Sequence, residues 1–354
     1  MQKVRFSNKN SVFFNVLKEK VDAYFKSNNI RQTGNYKLYL KTILLLLSAA
    51  GLYTLLVFFT PTAWVSILLC CLMGTNLAAV GFNIMHDGAH GSFSRKPWVN
   101  DLMGYSLNAM GGSVYLWKCK HNVNHHTYTN VEGMDDDIDI KPWIRTHEDQ
   151  KKYWFHRFQH IYWVVLYGVT YLLWIFIQDF TKYFKGKIGD TKFHKMDIKE
   201  HFIFWITKLL YVAVFIVVPL FWVGFIGTLI GYLVISFVCG FIISIVFQLA
   251  HIVENTKFST PDKEIYKIEE EWAVHQVKTT ANFATKSKIV SWLTGGLNFQ
   301  VEHHLFPRIS HVHYPKISQF VRETCEQFNI TYLEYPTVLS AVRSHVVHLK
   351  QVGR

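Results

Sequence analysis

The sequence predicts an all-α integral membrane protein: four transmembrane helices in two hairpins, interfacial helices beside them, and a cytoplasmic helical cap that holds a two-metal site. Three observations predict it. Half of the 354 residues are apolar and 16% are aromatic, several uncharged runs are long enough to cross a bilayer, and the 18 histidines gather in tight groups just outside those runs. The 37 Lys and Arg against 25 Asp and Glu fit basic cytoplasmic loops facing anionic lipid. No nucleic-acid motif accompanies that charge, so nucleic acid is not expected as a partner.

The first two spans are expected over 43–60 and 63–85, with Pro61 marking a tight turn between them. The uncharged run 209–253 is long enough for two more helices if it turns near 219–227, and Lys208 can snorkel from one end. These spans are placed at 203–223 and 227–252. A further uncharged run, 158–178, raises the question of a fifth span, which would put the two chain ends on opposite sides. Charge decides the expectation: eight basic residues lie between Lys3 and Lys37, six lie between Lys182 and Lys199, and both sets belong inside. The run 158–178 is therefore expected to lie in the interface or to dip in and return, as is 102–117 with its Gly111-Gly112 break. Four spans with both termini cytoplasmic follow, in a bacterial inner membrane or the endoplasmic reticulum.

The two outer turns are short and uncharged, so the functional groups must lie on the cytoplasmic side. No repeat, low-complexity tract or linker divides residues 1–354, which read as a single domain. Residues 1–37 lack a hydrophobic core followed by a small-residue cleavage site, so no cleaved signal peptide is expected. The five cysteines, Cys70, Cys71, Cys119, Cys239 and Cys325, form no CxxC and suggest neither a disulfide scaffold nor a thiolate metal site.

The histidines carry the chemistry. His86 and His90 follow the second span at i, i+4 spacing, which places two imidazoles on one helix face. His121, His125 and His126 repeat that pair and add a neighbour rotated around the helix, so this group can reach two ions. His303 and His304 lie beyond the last span, on the same topological side as the others. Imidazole suits Zn, Cu, Fe or Ni. There is no HExxH, which argues against a zinc protease of that kind, and no Glu-x-x-His, the pair of soluble di-iron bundles.

The motifs His86-Asp-Gly-Ala-His90, His121-Asn-Val-Asn-His125-His126 and Gln300-Val-Glu-His303-His304, in this order and with this hydrophobic spacing, resemble the three histidine boxes of the membrane fatty acid desaturases. The resemblance covers roughly residues 38–313. The context Leu297-Asn-Phe-Gln300-Val-Glu-His303-His304-Leu-Phe-Pro307 is similar to the front-end acyl-lipid and acyl-CoA desaturases. It implies a non-haem centre of two Fe ions, with His86, His90, His121, His125, His126, His303 and His304 as ligands and O2 as co-substrate. It also implies one more ligand from the end of the last span, a place that His251 occupies. Gln300 and His275 are weaker candidates. Gln300 would orient a ligand or bind iron through water, while His275 reads equally well as a hydrogen-bonded histidine beside the cap. The acidic run Asp135-Asp136-Asp137-Ile-Asp139 would brace ligands, bind a head group, or simply be hydrated.

Many members of that family carry a fused cytochrome b5 domain with a His-Pro-Gly-Gly motif, and this sequence has no His-Pro pair. A separate electron donor is expected, a ferredoxin or cytochrome b5 with its reductase. The implied reaction inserts a double bond into a lipid acyl chain, so the expected partners are the fatty acyl substrate and membrane lipid. Two other readings stand beside it: a lipid hydroxylase or oxygenase of the same superfamily, and a membrane metal transporter. Transport is disfavoured because transporters place ionisable ligands near the midplane, whereas these histidines gather at one end.

Overall fold

A computed structural model describes residues 4–7, 11–189, 191–193, 196–260 and 267–354. Lys3, Lys9 and Lys195, counted in the charge argument, lie outside the described residues. In chain order the helices that matter here are α1 (Val12–Ser27), α2 (Tyr36–Phe59), α3 (Ala63–His90), α4 (Pro97–Gly104), α5 (Val114–Lys118), α6 (Trp154–Lys185), α7 (Ile198–Val223), α8 (Phe225–His251), α9 (Trp272–Thr279), α10 (Gln300–Leu305), α11 (Tyr314–Gln327) and α12 (Val338–Gly353). Among the described residues, strand is limited to two-residue pairs, such as Asn282–Phe283 with Glu334–Tyr335.

Four helices, α2, α3, α7 and α8, overlap the four expected spans. They form two hairpins whose turns expose Phe59, Trp64, Phe221, Trp222 and Phe225, residue types common at a membrane boundary. The hairpins meet through small residues. A Cβ on Gly74 of α3 would stand 2.7 Å from the Ile235 carbonyl oxygen of α8, so only glycine lets these two backbones approach so closely.

Among the described residues five helices, not four, are long and apolar enough to cross a membrane, the fifth being α6. The run 158–178 does not dip in and return: it belongs to one continuous helix of 32 residues. Its one glycine, Gly168, does not break it but packs against α8, where an added Cβ would meet the Phe237 ring. Both ends of α6 are tied to the loop that follows the second histidine cluster. His156 hydrogen-bonds the Pro142 carbonyl at 2.8 Å, and Lys182 pairs with Asp136 at 3.1 Å. Near its C-terminal end, buried Asp179 pairs with Lys208 of α7 at 2.8 Å, and the same ammonium donates to the Gly111 and Ile175 carbonyls. The segment 102–117 is a series of short helical pieces broken at Gly111, where φ is +86°.

The cap is built on amphipathic helices. On α1, Phe13, Leu17, Val21 and Phe25 recur every fourth residue and are buried against Ile317, Val321 and Cys325 of α11, which repeat the same spacing. This layer, with α9 and α10, closes over the histidine-bearing ends of α3 and α8.

Candidate metal centre

All eight histidines expected as ligands converge in one buried region. His86, His90, His121 and His303 each offer a ring nitrogen within 4.8 Å of the others, and His125, His251 and His304 do the same. His126 stands between the two groups, with its ring 4.6 Å from both His303 and His304 and its Nε2 3.2 Å from Nε2 of His121.

Local backbone explains the convergence. Just before His86, α3 widens into a π turn over Gly81–Met85, and α5 runs on into a π turn over Cys119–His125. In the second turn the His126 amide bonds the His121 carbonyl, an i→i+5 step. An α-helix would rotate His126 away from His121; the wider turn brings it back to the same side. His303 and His304 sit on a single short helix whose register is fixed by Asn282, which accepts from the Val301 amide at 2.9 Å.

The far nitrogen of most of these rings is already committed. His125 Nδ1 donates to Asp135 at 2.9 Å, His121 Nδ1 to Asp137 at 2.5 Å, His304 Nδ1 to the Gln276 side-chain oxygen at 2.9 Å, and His251 Nδ1 to the Thr279 carbonyl at 3.3 Å. These partners only accept, so each ring carries its proton on Nδ1 and leaves an Nε2 lone pair bare. His303 Nδ1 lies 3.1 Å from the Tyr314 hydroxyl. On the near side, the Nε2 atoms of His86, His90, His125, His251, His303 and His304 are buried without a hydrogen-bond partner. Six orphaned imidazole nitrogens are costly in a dry protein, and such donors are suited to holding a metal.

Electrostatics keep most of these rings neutral. Burial, followed by the neighbouring histidines, holds His126, His303 and His304 well below the ordinary imidazole range, and burial brings His121 down to about 4 although Asp137 opposes it. Neutral imidazole is the form that binds metal. His125 alone is pushed up: burial lowers it, and the Asp135 carboxylate outweighs burial. Asp137 also pairs with Lys120 at 2.5 Å, and that ammonium overcomes burial to hold the carboxyl well below its usual range.

Of the two weaker candidates, Gln300 is buried at the head of α10, one turn before His303 and His304. His275 joins neither histidine group; its Nε2 bonds the Thr129 carbonyl at 2.8 Å. Several supports were not singled out in the sequence: Gln276, Thr129, Tyr314, and the buried Asp87, which accepts from Ser310 at 2.6 Å and pairs with His311 at 3.1 Å. Glu302 of the third motif turns away from the centre to Asn282 and Tyr332, and burial raises it to about 7.

A cavity of about 560 Å³ opens beside the centre. His86, Trp117 and Phe247 line it near the histidines, Leu107, Met110 and Leu166 give it apolar walls, and Lys120, Asp136, Asp139 and Lys141 stand at its polar side. A second apolar cavity of about 380 Å³ lies among α2, α3, α7 and α8 with no histidine in its wall.

Known proteins match this sequence. The family model described as fatty acid desaturase matches residues 61–336. The chain is 40% identical over 348 residues to an acyl-lipid (8-3)-desaturase of Physcomitrium patens, covering 97% of this chain and 72% of that protein. It is 38% identical over 342 residues to an sn-1 linoleoyl-lipid 6-desaturase of Arthrospira platensis, covering 95% and 91%. A protein of the same description from Synechocystis sp. is 35% identical over 355 residues, covering 100% and 98%. With buried histidine groups able to hold metal at the ends of long apolar helices, and with relatives matched along nearly its whole length, the chain belongs to the fatty acid desaturase family and is a membrane enzyme that desaturates fatty acyl chains.

Proposed function

We propose that this desaturase works with two iron ions held by His86, His90, His121, His125, His126, His251, His303 and His304, with dioxygen as oxidant and a separate protein as electron donor. The observation that carries this reading is the set of unpartnered Nε2 atoms aimed into one buried space, divided into two groups. Bound iron with dioxygen supplies the removal of two hydrogens from unactivated methylene groups, chemistry that no side chain offers. The protein's own part is positional. Asp135, Asp137, Gln276 and the Thr279 carbonyl hold the Nδ1 protons and so aim the rings. Leu107, Met110 and Phe247 provide the dry wall along which an acyl chain lies beside His86, and Lys120, Asp136 and Lys141 mark the wet end that faces its head group. The relatives' names, acyl-lipid and linoleoyl-lipid desaturase, support an acyl chain carried on a membrane lipid as substrate.

The in-plane reading of α6 is supported by its ties. One irregular loop, 136–142, holds both of its ends, and irregular backbone does not cross hydrocarbon. Four spans with the centre and the basic segments on the cytoplasmic side then follow from the positive-inside rule.

Substitution tests the ligand set directly. His304→Ala is expected to abolish formation of double bonds and to lower bound iron, with the protein still inserted in the membrane, while His275→Ala retains both iron and turnover. Full activity in His304→Ala, or loss of iron in His275→Ala, would refute the assignment. Hydroxylated lipid without a new double bond from the purified enzyme would favour the oxygenase reading.

A further inference from the structure

Away from the centre, a pocket of about 530 Å³ forms where three loops meet at the head of α2. Arg31, Arg95 and Lys96 stand in its wall, and no carboxylate lines it. Among the described residues none of these three charged heads has an ion pair or a side-chain hydrogen bond, in contrast to Lys120, Lys141, Lys182 and Lys208, each of which has an acidic partner. Three unpaired cations in one concavity leave positive charge without an internal answer.

The pocket is built rather than incidental. The Gly34 amide bonds the Ser92 carbonyl at 3.0 Å, the Ser310 amide bonds the Gln32 carbonyl at 2.9 Å, and His313 Nε2 bonds the Thr33 carbonyl at 3.2 Å. An added Cβ on Gly34 would stand 2.7 Å from the Phe93 carbonyl oxygen, so the loops touch backbone to backbone. Asn35 caps α2 by accepting from the Lys37 amide, so the positive end of that long helix also opens here.

Its level in the molecule is set by what lies next to it. Tyr36 and Tyr39 line the pocket and begin the exposed apolar face of α2, which continues through Leu40, Ile43 and Leu47. On the other side, Trp98 and Leu102 of α4 are 63% and 54% exposed. Tyrosine and tryptophan below unpaired cations, followed by a bare apolar helix face, describe the boundary between head groups and hydrocarbon. A soluble acidic protein would have to reach across this exposed apolar surface to enter, whereas a lipid head group at that boundary would not.

We propose that this pocket binds the phosphate of an anionic membrane lipid, with Arg31, Arg95 and Lys96 as its cationic ligands and an acyl chain of that lipid lying along Leu40, Ile43 and Leu47 of α2. The site is distinct from the substrate cavity and does not depend on the reading of the iron centre. Because the same loops carry Ser92, whose amide and hydroxyl donate to the Asp87 carbonyl, an occupied pocket braces the turn that ends in His90.

The test uses the full chain in neutral detergent with equal mole fractions of phosphatidylglycerol and phosphatidylcholine, and counts retained lipids by native mass spectrometry. The triple variant Arg31→Gln, Arg95→Gln, Lys96→Gln is expected to lose about tenfold or more of its retained phosphatidylglycerol, with phosphatidylcholine unchanged. A control, Lys185→Gln, Lys187→Gln, Lys199→Gln, removes the same charge elsewhere and is expected to retain the lipid. Millimolar inorganic phosphate should not displace it. Equal loss in the control, or displacement by phosphate, would overturn the proposal in favour of general surface charge or a free-anion site. Undiminished phosphatidylglycerol in the triple variant, with weaker binding of an acidic ferredoxin, would assign the pocket to a protein partner instead. If the triple variant does not fold, Arg95→Glu alone provides the same readout.

Discussion

At the scale of residues, the centre depends on atoms that never touch metal. A ring that must present a bare Nε2 needs its Nδ1 proton held, and Asp135 does this for His125 at 2.9 Å while also accepting from the Asn130 amide at 3.0 Å. Asp135→Asn keeps the shape but can flip its amide and lose the charge that favours a proton on Nδ1. Metal content and turnover are expected to fall about 10- to 100-fold with the fold intact, measured by elemental analysis and product formation. An unchanged metal content would show that Asp135 is merely structural. The histidine groups themselves were legible because clustered histidines beside apolar runs are rare. Their supports were not: Gln276 meets His304 from another helix, and Tyr314 meets His303 from α11, so no local spacing announces either contact. His275 shows the reverse, since a histidine one residue from Gln276 carried the visible signal while its neighbour makes the contact.

At the scale of elements, apolar length located four of the long apolar helices and said little about how helices meet. The π turns at Gly81–Met85 and Cys119–His125 decide which histidines share a side, and they follow from packing rather than from a sequence pattern. The stripe Phe13, Leu17, Val21, Phe25 was readable as an amphipathic helix, but the basic residues of that segment drew the reading toward charge alone. Contact between α6 and α8 rests on Gly168 and Gly240. A Cβ on Gly240 would stand 2.6 Å from the Gly168 carbonyl oxygen, so Gly240→Leu is expected to destabilise the protein by about 1–3 kcal/mol or more, read as a lower melting temperature. Gly51→Leu, on the open face of α2, should leave it unchanged. For α6 as a whole, single cysteines replacing Lys151 and Lys187, beyond its two ends, are expected to react with an impermeant reagent from the same side of the membrane. Labelling from opposite sides would make α6 a fifth span.

At the scale of the whole molecule, the centre joins parts far apart in sequence: the end of α3, the π turn after α5, the end of α8, and α10. Burying so many unpartnered imidazoles makes sense only if something binds them, and the apolar helices place that something at one end of a membrane domain, beside a cavity suited to an acyl chain. The order of motifs made this much visible beforehand. The division of the eight histidines into two groups with His126 between them required the structure. The most direct measurement is elemental analysis of the purified protein, paired with mass-spectrometric mapping of the lipid it produces when given oxygen, reductant and an electron-donor protein. The account predicts about two iron atoms per chain and a new carbon-carbon double bond. A single metal per chain, a metal other than iron in active enzyme, or oxygenated lipid in place of the double bond would contradict it.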